Sequence, residues 1–199
     1  MLQKIVCFLT KRNAKYLLYY LRFCHPSGPE YAEMLKHLKI FYSMGENCSV
    51  IPGTYVGDAK YIRLGNNVRL AGCLIFTHDG VVNMLGAAYN LKLDAVGKVD
   101  IGDNVFIGYG ASVMRGVTIG NNCVVAAGST VVKNIPPNSV VGGVPAKRIC
   151  STDELVVRLK AETESLPWND LIQQREGGSD PEMELILDKK RLEHWFGEK

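Results

Sequence analysis

The chain carries four histidines, at positions 25, 37, 78 and 194. His78 alone lies inside a run of six-residue repeats, and the repeats stop directly after it, in "FTHDG". An imidazole titrates near neutrality and is well suited to take a proton from a hydroxyl. The excursion from Gly80 to Lys98 leaves the frame the repeats build, and loops that interrupt a rigid scaffold are where sites are placed. Asp79 follows at once: either it orients the imidazole or a substrate, or it is only a corner residue. Zinc chemistry would need three ligands, and His25, His37 and His194 lie outside the repeats.

The elements that hold His78 follow from periodicity. An aliphatic or similar residue recurs at Met44, Val50 and Val56. After a two-residue slip it returns at Leu64, Leu70 and Phe76, and after the break at Ile101, Ile107, Val113, Ile119, Val125 and Val131. A helix would require apolar spacings of three and four. Period six, with Gly, Asn and Asp at the turns, means very short strands and tight corners. Three such units make one triangular coil, and stacked coils form a parallel β-helix with neighbouring strands about 4.8 Å apart. The fifth position of each unit (Cys48, Thr54, Val68, Leu74, Val105, Ala111, Val117, Cys123, Ser129) is mostly small or apolar and is expected to fill the prism. Cys48 and Cys123 are thus core thiols. Asn and Gly near the corners suit positive φ.

A β-helix has open edges that must be covered. Residues 1–43 are expected to form an N-terminal helical cap, 44–150 the β-helix with loop 79–98, and 151–199 a C-terminal helical extension. Ser27, Pro29 and Glu30 mark a helix start, as do Ser151 or Thr152 followed by Asp153 and Glu154. A further charged helix follows a Gly-Gly-Ser-Asp-Pro break. The first twenty-four residues read as one basic amphipathic helix, either a packing element or at most a peripheral membrane contact.

Bulk properties narrow the class. The chain has 199 residues, 47% hydrophobic, and a net charge of +3, too mild to argue for nucleic acid. Six cysteines without a C-x-x-C pair read as reduced thiols in the cytoplasm. No apolar run reaches the roughly 18 residues of a membrane span.

These repeats, the "THDG" stretch and the segment "VVKNIPPNSVVGGVPAKRI" resemble the hexapeptide-repeat acyltransferases, over roughly Gly45 to Cys150. They are most similar to sugar O-acetyltransferases of surface-polysaccharide synthesis. The resemblance implies a left-handed prism of about four or five coils and a homotrimer with its sites between adjacent prisms. It makes His78 the base that deprotonates a sugar hydroxyl for attack on acetyl-CoA, with the Tyr109 N–H as oxyanion donor. A cofactor lying along the prism axis would meet contacts every eighteen residues, at Tyr109, Ala127 and Pro145; the small residues Ala126, Ala127 and Gly128 permit close approach, and Gly108 is counted among the cofactor-binding residues. By the same match Lys133, Lys147 and Arg148 lie near the CoA phosphates. They could equally be a solvated basic corner. Val132 stands where many relatives carry Thr. No metal is required. Two alternatives remain: N-acyl transfer to an amino-sugar nucleotide, and a non-catalytic β-helix scaffold. Neither the acceptor nor the acyl length is fixed by the residues.

Overall fold

The computed structural model describes residues 2–177 and 180–197. It comprises two compact units, Met1–Thr152 and Asp153–Lys199.

The N-terminal segment is two helices rather than one. Helix α1 (Leu2–Arg12) ends at Asn13, whose extended backbone and side chain, accepting from Lys15 N, start a separate 3-10 turn before α2 (Leu17–Cys24). Helix α3 (Gly28–His37) starts where the capping residues predict. The Glu30 carboxylate accepts from the Ser27 backbone N–H and hydroxyl, both at 2.8 Å, and these bonds hold its pKa below the usual range. Gly28 sits on the first coil: a Cβ there would lie 2.3 Å from Ser49 Oγ.

Among the described residues fourteen short strands follow: β1 (Ser43–Met44), β2 (Ser49–Val50), β3 (Tyr55–Val56), β4 (Ile62–Leu64), β5 (Arg69–Leu70), β6 (Leu74–Ile75), β7 (Val99–Ile101), β8 (Val105–Ile107), β9 (Ser112–Val113), β10 (Thr118–Ile119), β11 (Cys123–Val125), β12 (Thr130–Val131), β13 (Val140–Gly142) and β14 (Lys147–Cys150). They form three sheets: A, in the order β1-β4-β7-β10; B, β2-β5-β8-β11-β13-β14; and C, β3-β6-β9-β12. Successive strands pass from A to B to C and back to A, and every pairing between coils is parallel. This is the path of a β-helix. Between β6 and β7 the chain leaves the prism for helix α4 (Val81–Tyr89).

The corner from A to B carries a ladder of asparagines. Asn67 Nδ2 donates to Asn104 Oδ1 at 3.0 Å, and Asn104 Nδ2 to Asn122 Oδ1 at 2.9 Å. These residues have φ of 52°, 55° and 55°, the left-handed conformation asparagine tolerates.

Inside, Leu70, Ile75, Ile101, Ile107, Val113, Ile119 and Val125 are at most 1% exposed. The six-residue count fails at one point. It expects Phe76 and Leu74 inward, but β6 pairs Ile75 with Val56 and with Val113, so Cys73 and Ile75 fill the core. The chain is one residue short between Leu70 and Ile75, and Phe76 is half-buried with its ring 5.4 Å from that of Tyr55. Cys48, Cys73 and Cys123 are buried, and burial pushes the Cys73 thiol up to about 12.

The far edge of sheet B is closed by β14, which turns back antiparallel on β13. Helix α5 (Thr152–Glu164) then begins with Asp153 and Glu154 in its first turn, and the Thr152 hydroxyl donates to the Asn122 carbonyl at 2.6 Å. The second unit adds α6 (Asn169–Gln174), which the residue pattern does not predict, and α7 (Pro181–Phe196). Asp180 caps α7 from its side chain. Gly178 and Ser179 of the expected break lie outside the described residues. Trp168 is 3% exposed and meets His194 and Trp195 edge-on. Among the described residues no helix is long and apolar enough to cross a membrane.

Candidate active site

His78 stands where the path turns from sheet C to sheet A. Two anchors fix this corner. Thr77, fully buried, accepts from Asp58 N–H on its Oγ1 at 2.9 Å and from Gly97 N–H on its carbonyl at 2.7 Å. Asp79 N–H donates to the Ala95 carbonyl at 3.0 Å, and His78 bridges Val96 antiparallel. The loop is therefore closed at its base by a short antiparallel ladder. Its exposed part is α4, which buries none of its residues; Met84 and Tyr89 are 59% and 69% exposed.

The carboxylate facing the imidazole is Asp58. His78 Nδ1 lies 2.9 Å from Asp58 Oδ2, and both side chains are nearly half exposed. A neutral ring that donates from Nδ1 to Asp58 keeps its lone pair on Nε2, free for a proton. Asp79, which by sequence either orients the imidazole or a substrate or is a corner residue, forms no hydrogen bond to the ring among the described residues. Its Oδ1 accepts from Val81 N–H at 3.0 Å, at the entry to α4. Asp58 precedes His78 by twenty residues and sits one coil away, so spacing in the chain does not announce it. The signal was register: Val56 opposite Ile75 puts Asp58 beside Thr77.

The proposed donor residues gather on a different edge, where the path turns from sheet B to sheet C. Gly108 is buried, and a Cβ on it would lie 2.6 Å from Ala127 N, so only glycine lets these coils approach. The Tyr109 ring lies over Gly72, at whose Cβ position it would be 2.8 Å away, and Tyr109 is 77% exposed. The N–H groups of Tyr109 and Ala127 donate to no backbone carbonyl among the described residues. These two N–H groups stand on successive coils, beside the small side chain of Ala126.

The third contact of the eighteen-residue series is misplaced. Val125 pairs with Val141, sixteen residues on, so Gly143 is level with Ala127. Pro145 lies beside Thr130, whose N–H donates to Gly143 O and whose carbonyl accepts from Ala146 N–H. Lys147 and Arg148 are exposed on β14, opposite Gly142 and Val141. Lys133 is exposed too, but at the corner from C to A, on the same side of the prism as His78.

One chain does not bring His78 and Tyr109 together. Gly72, under Tyr109, and His78 bound the two ends of the β6 face. Six extended residues at about 3.3 Å each separate them by on the order of 15–20 Å.

The model for the hexapeptide repeat of succinyl-transferase matches residues 98–133. Galactoside O-acetyltransferase of Escherichia coli K12 is 36% identical over 157 residues, covering 69% of this chain and 76% of that protein. Protein CapG of Staphylococcus aureus is 37% identical over 119 residues, covering 58% of this chain and 69% of that one. Among solved structures, a galactoside acetyltransferase in complex with coenzyme A is 28% identical with a TM-score of 0.52, covering 75% of this chain and 84% of that one.

Proposed function

This chain belongs to the hexapeptide-repeat acyltransferases, and on that premise we propose that it transfers an acetyl group from acetyl-CoA to a hydroxyl of a sugar or polysaccharide precursor. The observation that carries the reading is the Asp58–His78 pair at the mouth of the loop, 2.9 Å apart, with Nε2 left to act. His78 Nε2 takes the proton as the sugar oxygen attacks the thioester carbonyl, and CoA leaves as the thiolate. The Tyr109 N–H holds the negative charge that develops on the carbonyl oxygen.

The wide separation of His78 and Tyr109 supports a homotrimer, with His78 of one protomer meeting the Tyr109 edge of the next. The same family membership supports a left-handed prism of four or five coils. Lys147 and Arg148 face the CoA phosphates in this reading, and Lys133 joins them across the subunit boundary. Use of acetyl-CoA as donor supports a cytoplasmic location.

The test is thiol release. Wild type and His78→Ala are incubated with acetyl-CoA and a panel of neutral, acidic, amino and nucleotide-linked sugars. Release by wild type with particular acceptors, reduced about 10²- to 10⁴-fold in His78→Ala, is expected for loss of a general base. Full activity in His78→Ala would dismiss the base. Release only with amino sugars would move the reading to N-acyl transfer. Failure of wild type to bind CoA would leave a scaffold.

A further inference from the structure

On the outer face of sheet A, next to the His78 corner, lies a cavity of about 350 Å³. That volume is within the roughly 300–1,000 Å³ of small-molecule sites. Its wall is made by Tyr42, Lys60, Tyr61, Arg63, Lys98 and Asp100. Two of these are tied to the catalytic corner through the backbone. Lys60 is two residues beyond Asp58, in the 3-10 turn Ala59–Tyr61. Lys98 follows Gly97, whose N–H holds the Thr77 carbonyl at 2.7 Å. Tyr42 is pinned to the same turn, donating from its N–H to the carbonyls of Ile62 (3.0 Å) and Ala59 (3.3 Å).

The charges are unequal. Arg63 and Asp100 face each other across β4 and β7 and satisfy one another: Nε donates to Oδ1 at 2.7 Å and Nη2 to Oδ2. That fork and carboxylate cancel. Lys98 Nζ reaches the same carboxylate only at 3.5 Å and is 71% exposed, and Lys60 Nζ rests 4.9 Å from the centre of the Tyr61 ring. Three cations thus share one carboxylate, and two tyrosine rings stand beside them. Aromatic faces and a few placed charges are what a sugar with an acid group requires.

We propose that this cavity is the acceptor subsite and that it takes an anionic sugar, whose carboxylate or phosphate lies between Lys60 and Lys98 while its ring rests on a tyrosine. The inference rests on the acetyl-transfer reading of His78 and adds the class of acceptor to it.

Binding measured without acetyl-CoA separates the two. Glucose, glucuronate and glucose 1-phosphate are titrated into the wild-type protein by calorimetry at low salt. At least one acid binds about tenfold or more tightly than glucose, the scale of one charge-assisted hydrogen bond. The preference shrinks toward unity in Lys60→Ala/Lys98→Ala, and also in wild type at about 1 M salt, where screening reaches about 3 Å. The tighter acid tells a carboxylate acceptor from a phosphate one. Equal binding of all three sugars, no binding of any, or a preference unchanged in the double variant, overturns the subsite. Acid preference without thiol release from any acceptor upholds the subsite and removes the transferase reading. Thiol release on neutral sugars with no acid preference does the reverse.

Discussion

From Asp103 and Asn104 to Asn121 and Asn122 the corner ladder repeats after eighteen residues; from Asn66 and Asn67 to Asp103 and Asn104 it takes thirty-seven. One coil earlier the step is twenty, and at the far end, on sheet A, where Thr118 N–H meets Asn134 and Ile119 bridges Ile135, it is sixteen. The inward residues are alike in both regions, aliphatic and closed to water. The outward residues differ. Asp58, His78 and the loop belong to the coils of irregular length, and the cavity on sheet A lies where those coils meet the uniform ones. The uniform coils supply a straight wall, and on one edge the N–H groups of Tyr109 and Ala127 meet no backbone carbonyl among the described residues. A repeat that keeps its period has no spare residues, so reactive side chains are posted where the count changes. The family model matches residues 98–133, which is the uniform region and excludes His78.

The sharpest way to test that division is stability. Ile107, fully buried in a uniform coil, is expected to cost about 2–5 kcal/mol when cut to alanine. Met84, 59% exposed on α4, is expected to change stability by no more than about 0.5 kcal/mol. Denaturant unfolding of both variants at one protein concentration gives the pair of values. A loss at Met84 as large as at Ile107 would mean that α4 is buried in the assembly and that the loop belongs to the scaffold.

The same division explains what could be read from residues alone. The uniform coils were legible because each position repeats its chemistry: Ile107 and Val125 differ by one methylene and face the same core. The capping residues Ser27 and Glu30 were legible because a helix start is a local event. His78 was legible because the repeat ends beside it. Asp58 was not, because its meaning depends on a neighbouring coil and the count slips by a residue before Ile75. The same slip misplaced Phe76. Pro145 was misplaced because the last coil is two residues short. Helix α4 reads in the sequence only as a loop, since its apolar residues have no core to face and leave no inward stripe.

Asp58 therefore gives the second test. Removing its carboxylate is expected to lower kcat about ten- to a hundredfold, part of the 10²- to 10⁴-fold that a general base supplies. The acceptor KM is expected to stay within about threefold, because the residue acts through the imidazole. Asp58→Asn keeps an oxygen for the Nδ1 proton and should recover part of what Asp58→Ala loses. Equal loss in both with a raised KM would instead put Asp58 against the acceptor.

The smallest effect concerns the ion pair under the cavity. The Arg63 guanidinium, bonded to Asp100, holds that carboxyl below its usual range. A lowered folded-state pKa means the pair contributes stability above the ordinary value of about 3.9 and loses it as pH falls through the folded one. Wild type should therefore lose stability more steeply than Asp100→Asn between about pH 5 and pH 2. Arg63 is 57% exposed, so the difference is expected to stay under about 1 kcal/mol. The next coil offers the control: β10 places uncharged Thr118 directly opposite Asp100. The charges at that level are Arg63 and Asp100, where the irregular coils meet the uniform ones beside the proposed acceptor. If Asp100→Asn also tightened glucuronate, by freeing Arg63 to join Lys60 and Lys98, the pair would be regulating the cavity's charge and not merely fastening two strands.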